Sequence, residues 1–127
     1  MAFVQIEPQS KYSENLLLGA DKVVREIIRT SIADVWNVPA NDIIINIQRC
    51  VVASPDPTAV ALGAIPDVVI KINTSGGSNF IRTLVMKFHA KRLADRIETQ
   101  WRKEVGDCLQ SEIWIRFFHT WGITFDL

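Results

Sequence analysis

Residues 41–47, Asn-Asp-Ile-Ile-Ile-Asn-Ile, place four isoleucines within five positions. Isoleucine is branched at Cβ and favours extended backbone, and the run is too short to make a helix of its own. The pattern predicts a strand that begins at Ile43, is buried on both faces and keeps its apolar character as far as Val52. Pro39, just upstream, marks the end of the preceding element because proline disfavours helical geometry in the residue before it.

Upstream of this strand the hydrophobic period changes. A helix is predicted from Glu14 to Trp36, because apolar residues recur there at helical spacing while charged residues occupy the other side. Its apolar positions are Leu17, Ala20, Val24, Ile27, Ile28 and Val35. The apolar run before the helix predicts a first strand at about residues 2–7, ended by Pro8.

Downstream, the same plan occurs a second time. Residues 53–66 predict a long loop with one helical turn at Thr58 to Leu62. The predicted elements that follow are a strand at Val68 to Ile72, a glycine turn, a helix from about Asn79 to Val105, a strand at Ile113 to Phe118 and a short segment at Ile123 to Phe125. The inward stripe of this second helix is Met86, Ala90, Leu93, Ile97 and Trp101.

Two consecutive β-α-β units, at about residues 2–52 and 67–127, predict one α/β (α+β) domain over residues 1–127. Right-handed crossovers place both helices on one face of a four-stranded mixed sheet. The other face still has to be covered, and a second copy of an apolar chain with zero formal net charge is the natural cover. Small ferredoxin-like domains, such as amino-acid-sensing regulatory modules, have the same order of strands and helices and are the alternative fold.

The charge balance limits the classes of partner. The chain of 127 residues has 14 basic and 14 acidic side chains and 48% hydrophobic residues. A packed core is therefore expected, whereas a polybasic surface for nucleic acid or for an anionic membrane is not. Two isolated cysteines, Cys50 and Cys108, and the lack of a signal sequence indicate a cytoplasmic protein. His89 and His119 lack metal-ligand spacing, so neither a metal nor another cofactor is expected.

Three stretches carry a resemblance to a known family: Asn37-Val38-Pro39-Ala40-Asn41-Asp42-Ile43, then Val69-Ile70-Lys71-Ile72 with Gly76-Gly77-Ser78, and Glu112-Ile113-Trp114-Ile115-Arg116-Phe117. Together with the doubled β-α-β plan they resemble the tautomerase superfamily, which includes macrophage migration inhibitory factor and 5-carboxymethyl-2-hydroxymuconate isomerase. The resemblance implies a homotrimer with active sites near subunit boundaries. It also implies an N-terminal proline whose apolar pocket lowers the amine pKa, so that the amine is neutral and moves a proton between carbon and oxygen.

This chain departs from the family at that residue, because it begins Met1-Ala2-Phe3. Removal of Met1 would leave a primary α-amine on Ala2, with an unperturbed pKa of about 7.7 to 8.0 that burial would lower. One interpretation is a tautomerase or isomerase that binds a small carboxylated keto or enol compound, with Ala2 as the general base. The alternative is a catalytically inactive trimer that acts as a ligand-binding or protein-interaction module.

The resemblance also implies substrate-binding residues. Trp114 and Arg116 occupy the strand positions that line the pocket in the family, and an arginine there suits a bidentate carboxylate; pairing of Arg116 with an acid across the trimer interface is the alternative. Arg49 follows the second strand, where relatives that bind carboxylates place arginines, although a solvent-facing strand end is the favoured explanation. Asn37 stands where some relatives have a basic pocket residue, and Arg82 is expected to point to solvent.

Overall fold

The computed structural model describes residues 2–75 and 79–117. Four strands and five helices follow one another along this part of the chain, with a short 3₁₀ turn at Ala40–Asp42. In chain order they are β1 (Ala2–Pro8), α1 (Lys11–Gly19), α2 (Asp21–Trp36), β2 (Ile43–Ile47), α3 (Pro57–Ala61), β3 (Val68–Thr74), α4 (Phe80–Phe88), α5 (Ala90–Glu104) and β4 (Ser111–Phe117).

The sheet has the order β2-β1-β3-β4. β1 is parallel to β2 and β3 is parallel to β4, while the central pair β1 and β3 is antiparallel. Each β-α-β unit therefore keeps its two strands adjacent, and the units join through β1 and β3. A split β-α-β arrangement would place a strand of the other unit between them, so the sheet order rules out the ferredoxin-like alternative. The predicted four-stranded mixed sheet is confirmed.

The core lies between the sheet and the long helices α2 and α5. Alternate residues of β1 on the face toward the helices are fully buried: Ala2, Val4 and Ile6. Helices α2 and α5 pack against each other above the sheet. The tryptophan near the end of each long helix is buried with its indole N–H satisfied. Trp36 donates to the Met86 carbonyl at 3.0 Å and Trp101 donates to the Leu109 carbonyl at 2.7 Å.

Each predicted long helix is interrupted at a single residue. Ala20 separates α1 from α2 with φ −109° and ψ 17°, and His89 separates α4 from α5 with φ −92° and ψ 6°. Hydrogen bonding continues through the first interruption, because Ala20 donates to Leu16 and accepts from Val24. The apolar period therefore persists across the break, which is why periodicity alone predicted one helix.

Strand β2 differs from its prediction. It ends at Ile47 and alternates between faces, with Ile43 and Ile45 buried and Ile44 39% exposed, so it is not buried on both faces. The helices cover one face of β2, whereas Ile44 and Asn46 on its other face are exposed among the described residues. Arginines of α2 satisfy the outward carbonyls of β2: Arg25 donates to Ile45 and Arg29 donates to Ile43 at 3.4 Å.

The remaining sequence predictions are close to the observed bounds. The helical turn in the long loop is confirmed as α3, and β4 begins at Ser111, two residues earlier than predicted. The predicted end of β4 at Phe118, the glycine turn at residues 76–78 and the segment Ile123 to Phe125 lie outside the described residues.

Ser31 on α2 provides a test of the packing. It is fully buried, and its hydroxyl has no hydrogen-bond partner within the described residues. Removal of an unsatisfied buried hydroxyl relieves its desolvation cost, so Ser31→Ala should leave the free energy of unfolding unchanged or raise it by up to about 1 kcal/mol. Ile28→Ala, one turn away in the same core, should cost about 2–5 kcal/mol. Urea unfolding measures both, and a large loss in Ser31→Ala would mean that the hydroxyl has a partner.

Candidate active site

One end of the sheet places Ala2 in a buried row. Ala2 pairs with Ile43 of β2 on one side and with Thr74 of β3 on the other, and Thr74 pairs with Phe117 of β4. Ala2 is 0% exposed, Ile43 3% and Thr74 2%. Directly opposed residues on one face have Cβ atoms about 5 Å apart, so the Thr74 side chain is the nearest polar neighbour of Ala2 across the ladder.

The end of α2 packs near this row together with the part of α4 around Met86. The rings of Trp36 and Phe117 lie 5.6 Å apart, and the Trp36 indole donates to the Met86 carbonyl of α4. Trp36 and Met86 are both nearly fully buried and belong to the same core cluster as Ala2. An α-nitrogen at the start of β1 would therefore have apolar surroundings.

Asn37 lies at the same end, where it terminates α2 in the left-handed conformation with φ 54°. Its side chain is exposed, and its carbonyl accepts from Arg82 at 3.2 Å. Arg82 also donates to the Trp36 carbonyl at 2.8 Å, so it caps the negative end of the α2 dipole. The expectation that Arg82 points to solvent is wrong, because its guanidinium donates to these two carbonyls at the end of α2.

Trp114 and Arg116 lie together on the face of the sheet opposite the long helices. The Arg116 guanidinium carbon is 5.8 Å from the Trp114 ring centroid, and the Lys71 ammonium is 5.3 Å from the same centroid. Lys71 also forms an ion pair with Glu7 at 3.0 Å, and the Trp114 indole donates to Glu112 at 2.7 Å. The open-face cluster, made of Trp114, Arg116 and Lys71, therefore sets two cations beside an aromatic ring, with the carboxylates of Glu7 and Glu112 next to them.

Ala2 and the open-face cluster do not meet within one chain. The Ala2 side chain faces the helices, whereas Trp114 and Arg116 face away from them. β4 is also two strands from β1, a separation of about 10 Å. A site that used Ala2 together with Arg116 would need the two groups to come from different copies.

Arg49 lies beyond the opposite end of β2, about 13 Å or more along the strand from the level of Ala2. Its neighbour Cys50 donates its backbone N–H at 2.9 Å to the carboxylate of Glu14, which is 4% exposed. The Lys11 ammonium, bonded to that carboxylate, is the largest cause of a lowered Glu14 pKa, followed by the Cys50 N–H; the charge of Arg49 contributes further, while burial opposes the shift. The structure therefore places Arg49 in an anchored loop that is remote from the other candidates.

Sequence reasoning missed Thr74, Lys71 and the capping role of Arg82. The signal for Thr74 was available, since it follows Val68, Ile70 and Ile72 on the alternating buried face of β3. No such signal existed for Lys71, whose importance comes from its neighbours on β1 and β4. A groove of about 360 Å³ lies beside the open-face cluster, between the loop and β4, and its lining includes Val52, Pro55, Pro66, Val69, Glu112 and Trp114.

Residues 2–75 and 79–117 contain neither a metal-ligand cluster nor a helix that could cross a membrane. No group of three or more His, Cys, Asp or Glu side chains in this part could hold a metal ion. None of the helices described combines the length and the apolar character that a bilayer crossing requires.

No protein-family profile and no curated protein matches the chain, but solved structures share its fold. A protein of unknown function from Vibrio cholerae is 7% identical, with 95% of this chain and 80% of that one covered and a TM-score of 0.57. FG41 malonate semialdehyde decarboxylase is 13% identical (coverage 92% and 83%, TM-score 0.52). A fused 4-OT asymmetric trimer is also 13% identical (coverage 92% and 86%, TM-score 0.56). The last two are tautomerase-superfamily structures, so the resemblance predicted from the sequence is confirmed at the level of the fold.

The Glu14 anchor predicts a dependence of stability on pH. Because the folded-state pKa of Glu14 is lowered from its ordinary value of 4.5, its contribution to stability is present above that value and is lost as the pH falls through the folded pKa. Glu14→Gln keeps an acceptor for Cys50 but removes the charge, so its thermal midpoint should fall less than that of the wild type between about pH 6 and pH 3. Glu98→Gln, at an exposed position of α5, is the control. An equal fall of the thermal midpoint with pH in all three proteins would contradict the role of Glu14.

Proposed function

We propose that the chain is a tautomerase-like isomerase that acts, as a homotrimer in the cytoplasm, on a small carboxylated keto or enol compound. The observation that carries the proposal is the buried row around Ala2, where the first strand of a tautomerase-superfamily fold begins in apolar surroundings. Two structures with this fold are described as fused 4-OT trimers with TM-scores of 0.53 and 0.56, which supports a trimer for this chain.

In this proposal the α-amine of Ala2 is the general base after Met1 has been removed. Apolar surroundings lower the pKa of an amine, so a large neutral fraction would exist at pH 7. The neutral amine takes the proton from an enol hydroxyl, and the resulting ammonium returns a proton to the carbon of the same substrate. The sum is a keto-enol isomerisation that consumes no other reactant. The Thr74 side chain, paired across from Ala2, is the group that we assign to orient the substrate oxygen.

The substrate carboxylate needs a cation, and Arg116 is the residue we assign to it. Since Arg116 and Ala2 face opposite sides of the sheet in one chain, the arginine would come from a neighbouring copy, with Trp114 beside it. Asn37, next to the Arg82 guanidinium at the Ala2 end, would contact the same substrate from the first copy. Arg49 is the least favoured of the candidates because it lies beyond the far end of β2.

One observation favours a second function, that of a non-catalytic module. Ala2 is fully buried in the single chain and carries a primary amine in place of the proline ring. If assembly does not open a path to Ala2, the open-face cluster and the groove beside Trp114 remain for binding a ligand or a protein. Light scattering gives the oligomeric state. A monomer would contradict both the isomerase and the non-catalytic module, because each is proposed as a trimer.

The base is tested by mass spectrometry and an enol assay. Intact mass shows whether Met1 is removed, and a retained methionine would end the Ala2 mechanism. Ketonisation of a 2-hydroxydienoate or an aryl enolpyruvate is then followed for the wild type and Ala2→Pro. A more rigid secondary amine should raise kcat by about tenfold or more, within the range of general-base effects. Ala2→Ser, which keeps a small residue and a primary amine, is the matched control, and inactivity of all three would favour the binding module.

The carboxylate contact is tested by Arg116→Gln. Loss of a charge-assisted hydrogen bond of about 1.5–3 kcal/mol should lower kcat/KM about 10-fold to 150-fold, mainly through KM. Arg102→Gln, an exposed arginine on α5, should leave both constants unchanged. Mixing Arg116→Gln subunits with Ala2-blocked subunits should restore activity if the two groups come from different copies, and no recovery would assign them to separate functions.

A further inference from the structure

Strand β4 forms one edge of the sheet, and its outer border differs from the border at β2. No strand among the described residues pairs with the outer side of β4. Its helix-facing isoleucines, Ile113 and Ile115, are only partly buried, whereas Ile43 and Ile45 at the other edge are each 3% exposed. A strand border with open backbone groups is a template for pairing with another strand.

The hydrogen bonds with β3 determine which backbone groups of β4 face this border. The Val68 N–H donates at 3.1 Å to the carbonyl of Gln110, the residue before β4. Backbone groups of successive residues alternate between the two sides of a strand, so the even-numbered residues of β4 also bond toward β3. The N–H and C=O groups of the odd-numbered residues, from Ser111 to Phe117, therefore point outward.

The side chains of β4 on the face opposite the helices are complementary to a second copy of themselves. Glu112 and Arg116 lie two residues before and two residues after Trp114, and all three are exposed. Neither Glu112 nor Arg116 forms an ion pair with another described residue. When two β4 strands run antiparallel with Trp114 opposite Trp114, each Glu112 lies opposite Arg116 of the partner subunit. Opposite charges at directly opposed positions stabilise a strand pair.

The same alignment also satisfies the backbone. It opposes Ile113 to Ile115 and Ser111 to Phe117, which are residues whose N–H and C=O groups point outward. Directly opposed residues of this kind exchange two hydrogen bonds in an antiparallel pair. The partly exposed isoleucines of the two copies then meet on the helix side of the sheet. A shift by two residues would keep the hydrogen bonds but separate the opposed charges, so the charges favour this register.

We propose that β4 pairs antiparallel with β4 of a second copy, centred on Trp114, so that two four-stranded sheets become continuous. A second copy is favoured over another partner because the chain itself presents the complementary charges at the matching spacing. This β4 pairing goes beyond the proposed function and does not rest on it. Both use Arg116, so in a paired chain this arginine bonds to Glu112 of the partner subunit and not to a substrate carboxylate.

Light scattering distinguishes the β4 pairing from the proposed trimer. The β4 pairing alone gives an assembly of two chains, the trimer alone gives three, and the two contacts together give six. We expect two or six chains. A mass of one or three chains would overturn the β4 pairing, whereas a mass of two chains would support it and contradict the trimer alone.

Charge reversal tests the register of the β4 pairing. Glu112→Arg and Arg116→Glu each set like charges opposite one another, so each should raise the Kd of the β4 pairing at least about tenfold. An equimolar mixture of the two variants restores both ion pairs, and its Kd should return to near the wild-type value. Lys91→Glu and Asp95→Lys, at an exposed ion pair on α5, are the matched controls and should leave the Kd unchanged. A mixture that associates no better than either variant alone would overturn the proposal.

A cysteine at the centre of the β4 pairing tests the geometry without reversing a charge. In a Cys50→Ser, Cys108→Ser background, Trp114→Cys places two thiols at directly opposed positions that exchange no hydrogen bonds. Such positions have Cα atoms about 4.5 Å apart, which is within the range of a disulfide. Oxidation should give a covalent dimer at least about tenfold faster than for Ile44→Cys in the same background. Ile44 is the matched control because it and Trp114 are both 39% exposed and it lies at the opposite edge of the sheet. Equal rates at the two positions would overturn the proposal.

Discussion

The antiparallel ladder between β1 and β3 is the interaction on which the rest of the structure depends. It pairs seven residues of each strand, from Ala2 with Thr74 to Pro8 with Val68, and it is the only ladder in the described sheet that joins the two β-α-β units. Its register brings the start of β1 level with the ends of β3 and β4. Without that register, Ala2 would not share a buried row with Thr74 and Phe117.

Much of the fold follows from local patterns in the sequence. The spacing of apolar residues predicts the strands, the long amphipathic helices and their repetition, because each element has to bury one side. The interruptions at Ala20 and His89 could not be predicted in this way, because a single non-helical residue barely changes the spacing of the apolar residues along a helix. The edge position of β2 was also missed, since isoleucine content alone does not distinguish a central strand from an edge strand with one uncovered face.

The candidate site was less predictable than the fold because it depends on pairing between distant strands. Alternation correctly put Trp114 and Arg116 on one face of β4. Whether that face is also the face of Ala2 depends on two successive ladders, β1 with β3 and β3 with β4, and a single sequence carries no record of their registers. The same reason hid Lys71, whose contacts with Glu7 and Trp114 each cross a ladder.

The arginines of α2 that bond to the carbonyls of β2 have a consequence for assembly symmetry. Arg25 and Arg29 donate to the Ile45 and Ile43 carbonyls that an incoming strand would need at the β2 edge, whereas no strand among the described residues pairs with the outer border of β4. A continuous sheet through two free borders would join copies about a twofold axis, as an isologous contact. A closed ring of three needs heterologous contacts instead, and with these arginines in place its subunits would be joined by side chains of the uncovered face rather than by a backbone ladder through β2.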